Sequence, residues 1–168
     1  LGFHSLLGRL PGQVAASGEQ LSLFAPARPR ESERRIFGQY HIVDMPSMLG
    51  ELMDRLKQGR LFGLDTETTS TDQMRARLVG ISVATAEDEA WYIPVGHQEA
   101  AGQNQLPLEE VAGAIGPVLA DPARNMVLHN AKYDMIVLER HGLPVRGRCD
   151  DTMLAAWLLS PTGRGIGL

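Results

Sequence analysis

Apolar and polar residues alternate along the chain with two different periods, and the period tells the elements apart. Gln39 to Val43 reads as a strand, Asp44 as a helix cap, and Pro46 to Lys57 as a helix with Leu49, Leu52, Met53 and Leu56 on one face. Gly59 stops that helix. Arg60 to Thr66 is a buried strand carrying Leu61, Phe62 and Leu64, Leu78 to Ala84 alternates cleanly, and Trp91 to Val95 is a third strand. Ala86-Glu-Asp-Glu89 joins the last two as a charged hairpin. Leu106 to Leu119 is helical with Pro107 in its first turn, and Asn125 to His129 is a short strand. Asn130 to His141 is a helix stopped by Gly142 and Pro144, Val145 to Cys149 a short strand, and Asp151 to Leu159 a last helix.

Three hairpin-linked strands followed by alternating helix and strand predict an α/β fold. Its mixed sheet is an antiparallel three-strand meander extended by parallel strands and flanked by helices. Upstream of Ile36 the pattern changes. Residues 1–12 hold a short apolar helical stub (Phe3, Leu6, Leu7, Leu10) closed by Pro11-Gly12, and residues 13–35 have the Gly, Ser, Pro, Glu and Arg composition of a linker. One ordered domain is therefore expected over residues 36–168. The stub and the unclosed Gly-rich end suggest a piece of a longer protein.

Composition narrows the function classes only a little. At 168 residues, 43% apolar and 21% charged, the chain is ordinary globular material. Apolar runs such as Leu154 to Leu159 fall far short of the ~20 residues needed to span a bilayer, so no membrane association is expected. A single cysteine, Cys149, excludes an internal disulfide and a thiolate zinc cluster, and suits a reducing compartment. Charge is uneven: residues 1–40 balance at +2 (five Arg, three Glu), and residues 41–168 at −6 (11 basic, 17 acidic). An acidic body argues against nucleic-acid binding through a broad basic face.

Candidate chemistry rests on carboxylates. Acid-x-acid occurs at Glu31/Glu33, Asp65/Glu67 and Glu87/Glu89. The first pair lies in the linker and the third in a hairpin, where a solvated charge cluster is expected. Asp65 and Glu67 differ because they end a buried strand; alternation points both to one face, with Cα atoms roughly 6–7 Å apart. Such a pair can hold hard divalent cations. It equally suits an exposed strand end accepting turn N–H groups, and the spacing leaves both readings open. Asp134 sits one turn into the helix capped by Asn130, among Tyr133, Met135, Ile136 and Val137. There its charge needs either the helix N-terminus or a metal to compensate it. His129 and Asn130 close a strand at the end that commonly faces a ligand crevice.

The order of these segments is more specific than any one of them. Phe62-Gly-Leu-Asp-Thr-Glu-Thr68 is followed by Leu78-Val-Gly-Ile-Ser82 and Trp91-Tyr-Ile-Pro-Val-Gly-His97. Then come His129-Asn-Ala-Lys-Tyr-Asp134, Leu138-Glu-Arg-His-Gly142 and Asp151-Thr-Met-Leu154. This set resembles the 3′–5′ proofreading exonuclease domain of bacterial, family A (polymerase I-type) DNA polymerases over about Ile36 to Leu168. The stub at residues 1–12 resembles the end of the 5′-nuclease domain of the same polymerases. The resemblance implies an RNase H-like fold with four acids of the DEDD class holding two divalent ions, Mg2+ or Mn2+, with Zn2+ an option in one site. Asp65, Glu67 and Asp134 match the first three acids as catalytic and metal-binding residues. Thr66, Thr68, His129, Asn130 and, less closely, Arg164 match positions that contact the DNA strand.

No Tyr-x-x-x-Asp third motif follows Asp134 before Leu168, and neither Tyr133 nor Asp151 replaces its residues; Asp151 matches the Asp that opens the following helix as its cap. Thr71 stands where some relatives place a Leu against the terminal base. The implied reaction is two-metal hydrolysis at a single-stranded DNA 3′ end, releasing nucleoside 5′-monophosphates. The implied setting is a monomeric, cytoplasmic, nucleoid-associated bacterial protein with polymerase and 5′-nuclease domains on the same chain. A catalytically silent spacer domain and an RNA-trimming DEDD exonuclease remain the alternatives.

Overall fold

The computed structural model describes residues 38–98 and 104–159. The upstream tail, the linker and Arg164 lie outside them. Along the chain run β1 (Gln39–Ile42), α1 (Pro46–Gln58), β2 (Leu61–Thr68), β3 (Leu78–Ala86) and β4 (Glu89–Pro94). They are followed by α2 (Leu108–Leu119), β5 (Asn125–Leu128), α3 (Ala131–Arg140), β6 (Arg148–Asp151) and α4 (Thr152–Leu159). The strands form one sheet in the order β1-β4-β3-β2-β5-β6. β2, β3 and β4 are the expected antiparallel meander; β1 joins β4 in parallel, and β5 and β6 extend β2 in parallel.

β2 runs through the middle of this sheet, and its burial alternates residue by residue. Phe62, Leu64 and Thr66 are buried while Leu61, Asp65 and Glu67 are exposed. The buried set joins Leu49, Leu52 and Leu56 of α1, Val111, Ile115 and Leu119 of α2, and Val137 and Leu138 of α3 in one core. Each fully buried Leu or Ile there contributes about 1.5–3 kcal/mol of transfer free energy. Among the described residues the face bearing Asp65 and Glu67 is open, and α4 starts beside it without burying a residue.

Several local expectations shift. Met45, not Asp44, occupies the N-cap of α1, and no side chain caps that end; Pro46 begins the helix, where its missing N–H costs nothing. Pro107 is likewise the N-cap of α2 rather than part of its first turn. The strand expected at Val145 to Cys149 lies at Arg148–Asp151 instead. Leu143 and Val145 are buried in the preceding loop, so their apolar signal reports loop burial. Pairing starts only where Arg148 comes beside Asn125. Glu89 also departs from the solvated hairpin reading: its side chain is 11% exposed, accepts the Thr85 hydroxyl at 2.5 Å and pairs with Arg55 at 3.1 Å.

Candidate active site

The sheet register sets the first two acids. Asp65 lies opposite Ser82 and Glu67 opposite Gly80 on β3, with an irregularity between Glu67 and Thr68 that ends regular pairing. Both carboxylates rise from the open face of a strand pinned on both sides, as their alternation predicts.

Asp134 approaches from the other side. Its side chain is buried at 2% exposure on α3, and the Thr66 hydroxyl donates to its Oδ1 at 2.6 Å. Burial pushes its pKa up to about 6; the Thr66 hydrogen bond opposes this and the nearby Asp65 charge adds to it. The fold thus brings the Asp134 carboxylate within reach of the Asp65 charge. Among the described residues, no three His, Cys, Asp or Glu side chains form a group that could hold an ion together.

The start of α3 is built in a way the sequence does not announce. Asn130 holds the N-cap position in the left-handed region (φ 65°), which Asn tolerates, but its side chain makes no capping bond. Asp151 closes the helix instead: its Oδ1 accepts the Asn130 N–H at 3.1 Å and its Oδ2 the Ala131 N–H at 2.9 Å. The same carboxylate accepts Met153 N–H at 2.9 Å and Leu154 N–H at 3.3 Å, which is the cap of α4 that the sequence does predict. Desolvation raises the Asp151 pKa, but these four donors outweigh it and hold the carboxyl below the usual range.

His129 leaves β5 toward the open face and meets Thr152. The Thr152 hydroxyl is placed to give its one proton to the Leu128 carbonyl at 3.1 Å, and with that bond made it accepts at its 2.9 Å contact with His129. In that arrangement Nδ1 of His129 carries hydrogen, and Nε2, buried and without a partner among the described residues, presents a lone pair in the neutral ring. That nitrogen can accept from a hydroxyl, an amine or water; in this form it cannot donate to a phosphate oxygen. His129 and Thr152 share a cavity of about 290 Å³ with Asp65, floored by Gly63, Ser82 and Ala84.

Thr68 and Tyr133 share their hydroxyl protons with each other, 2.5 Å apart, and with the Ser70 carbonyl. They line a polar recess with Thr69, Ser70, Thr71 and Asn130. Arg140 fixes the connection behind it by donating to the Gln73 and Ala76 carbonyls. Of the expected strand-contacting residues, Thr68 and Asn130 face this recess and His129 faces the cavity. Thr66 is turned to Asp134. Sequence reasoning missed the support given by Tyr133 and Arg140, for which only a polar residue on an apolar helix was a cue.

The family model of the 3′–5′ exonuclease domain of A-type DNA polymerases matches residues 40–168. The chain belongs to this exonuclease family. The chain is 40% identical over 162 residues to DNA polymerase I of Chloroflexus aurantiacus, covering 91% of this chain and 16% of that protein. It is 39% identical over 112 residues to DNA polymerase I of Pseudomonas aeruginosa, covering 66% of this chain and 12% of that protein. The chain thus spans less than a fifth of the length of these curated relatives. Among solved structures, Pol1 of M. smegmatis, in complex with a DNA primer-template and dNTP, is similar at TM-score 0.57 and 26% identity, covering 75% of this chain and 20% of that one. Escherichia coli RNase D shares the fold at TM-score 0.56 and 19% identity, covering 77% of this chain and 31% of that one. The fold is the RNase H-like exonuclease fold expected from the motifs. No helix among the described residues is long and apolar enough to cross a membrane.

Proposed function

We propose that the domain hydrolyses the terminal phosphodiester of a single-stranded DNA 3′ end, releasing nucleoside 5′-monophosphates, as the proofreading activity of a polymerase I-type protein. Asp65, Glu67 and Asp134 are its catalytic acids. The observation that carries this reading is the pairing of two exposed carboxylates, Asp65 and Glu67, on one strand face with a buried third, Asp134, which is held by Thr66 and whose pKa burial raises and the nearby Asp65 charge raises further. A carboxylate kept buried beside another carboxylate is unfavourable without a cation.

The donor set is oxygen only, which fits hard divalent ions such as Mg2+ or Mn2+ better than Zn2+. Asp65, Glu67 and Asp134 would hold these ions. When bound, the ions lower the pKa of the attacking water and stabilise charge on the attacking and leaving oxygens. Thr66 keeps Asp134 in place. Asn130 and Thr68 line the recess suited to the incoming strand, and His129 offers an acceptor to a donor on the nucleotide. Arg164 is assigned to the strand as well. In the full protein, residues 1–12 would end a 5′-nuclease domain, residues 13–35 would link it to this domain, and a polymerase domain would deliver the frayed strand, in a monomer at the bacterial nucleoid.

The test is a 3′-end digestion assay on the full-length gene product, comparing single-stranded DNA, mispaired DNA and RNA. Asp65→Ala and Asp134→Ala are expected to abolish release of nucleoside 5′-monophosphates. Full activity in either variant overturns the assignment, and faster digestion of RNA than of DNA favours the RNA-trimming alternative.

A further inference from the structure

The segment Trp91 to His97 has no part in the chemistry so far, yet Tyr92 within it lies against Gly80, the residue paired with Glu67. Tyr92 points to the open face from β4, and its ring crosses β3 diagonally over that glycine. Only glycine permits this: a Cβ at Gly80 would overlap the Tyr92 ring and hydroxyl. The hydroxyl then lies where the Glu67 charge reaches it. Behind it, His97 Nε2 stands 2.5 Å from Tyr92 Oη, with the rings edge to face at 5.8 Å. His97 is itself fixed through its backbone, because Gln105 accepts from its N–H at 2.8 Å and donates to its carbonyl at 3.0 Å.

From this geometry, and resting on the metal-binding role given above to Glu67, we infer that Tyr92, backed by His97, is a positioning residue for the Glu67 carboxylate. The hydroxyl has one proton and two directions to send it. Given to His97, it would leave oxygen lone pairs facing a carboxylate, which is repulsive. With His97 Nε2–H donating instead, the Tyr92 proton turns toward Glu67 through one water, and each donor meets an acceptor. Glu67 extends from an exposed strand position with three rotatable side-chain bonds, so an oriented donor reduces the freedom it must lose on holding an ion.

The experiment uses the full-length gene product with Mn2+ as the probe. It measures both Mn2+ binding without DNA and the Mn2+ concentration giving half-maximal nuclease activity, alongside the KM for a single-stranded DNA. Tyr92→Phe is expected to raise both Mn2+ values about five- to tenfold, the size of one lost ordinary hydrogen bond, with KM for DNA unchanged. Gly80→Ala retains every polar group but displaces the phenol, and is expected to move the Mn2+ values in the same direction. It also decides the matter if the Tyr92 variant does not fold. Wild-type Mn2+ values in both variants, or a change in KM for DNA alone, overturns the inference. Asp65→Ala separates the two readings: if it leaves Mn2+ binding and activity intact, the metal site itself is misassigned. If it abolishes them while the Tyr92 and Gly80 variants behave as wild type, only the positioning role falls.

Discussion

The Thr66 hydroxyl donates to Asp134 across the junction between β2 and α3, at 2.6 Å between Oγ1 and Oδ1. The residue between the two exposed acids of β2 thus secures the third acid from the covered side of the sheet. Asp134 has a folded-state pKa of about 6, above the ordinary carboxylate value, chiefly through burial. A raised carboxylate pKa favours folding at low pH, and that contribution is lost as pH rises from about 4 through about 6. Asp134→Asn keeps an acceptor for Thr66 and removes the ionisation. In metal-free protein it is expected to add about 1–3 kcal/mol of stability at pH 7 and nothing at pH 4, while abolishing nuclease activity. Denaturant unfolding at the two pH values checks this.

Divalent metal should stabilise the folded protein by mass action, by about 2.7 kcal/mol at a hundredfold excess over Kd. Thermal melts with and without Mn2+ are expected to separate for the wild type and to coincide for Asp65→Ala. Equal metal-induced shifts in the two proteins would place the ion elsewhere.

Asp151 serves two helices with one carboxylate. Replacing an N-cap costs typically about 1 kcal/mol, so Asp151→Ala is expected to cost about 2 kcal/mol, and Asp151→Asn less. The pH sign is opposite to that of Asp134. With its pKa held below the usual range, Asp151 contributes stability above the ordinary carboxylate pKa, and that stability is lost as pH falls through the lowered value. The Asp151→Ala penalty should therefore shrink in acid, which a pH series of unfolding curves measures.

Thr152 fixes the polarity of His129. In the wild type, nitrogen NMR of His129 should show Nδ1 as the hydrogen-bearing nitrogen and Nε2 as the bare one. Thr152→Ser is expected to keep that pattern and Thr152→Val to lose it, with weaker DNA binding. An unchanged spectrum in the valine variant would show that something other than Thr152 holds the tautomer.

Much of this architecture is legible in the sequence because its signals are local. Strand alternation puts Asp65 and Glu67 on one face of β2, as found, although Leu61, read with Phe62 and Leu64 as buried, lies on that exposed face too. Helical spacing finds α1, α2 and α3 to within a residue or two at most ends. What is not legible depends on partners distant in sequence. Nothing near Asn130 says that its helix is capped from Asp151, 21 residues away. Nothing near Thr66 says that its hydroxyl is committed to Asp134. Glu89 reads as a solvated hairpin charge because its partner Arg55 lies on another element. The Tyr92 placement needs the register of three strands, in which Gly80 is an ordinary strand glycine until its neighbour is known.

The parallel join of β2 to β5 also has a consequence for the order of assembly. The antiparallel meander β2-β3-β4 closes through short connections, whereas Thr66 and Asp134 are 68 residues apart in the chain. Non-local pairings of this kind form slowly, since chain closure precedes the contacts that compensate it. The meander can thus fold with Asp65 and Glu67 hydrated and without a like-charged neighbour on α3. Repulsion between Asp65 and Asp134 begins only when α3 docks, so a divalent cation present at that moment would speed the last step of folding as well as occupy the finished site.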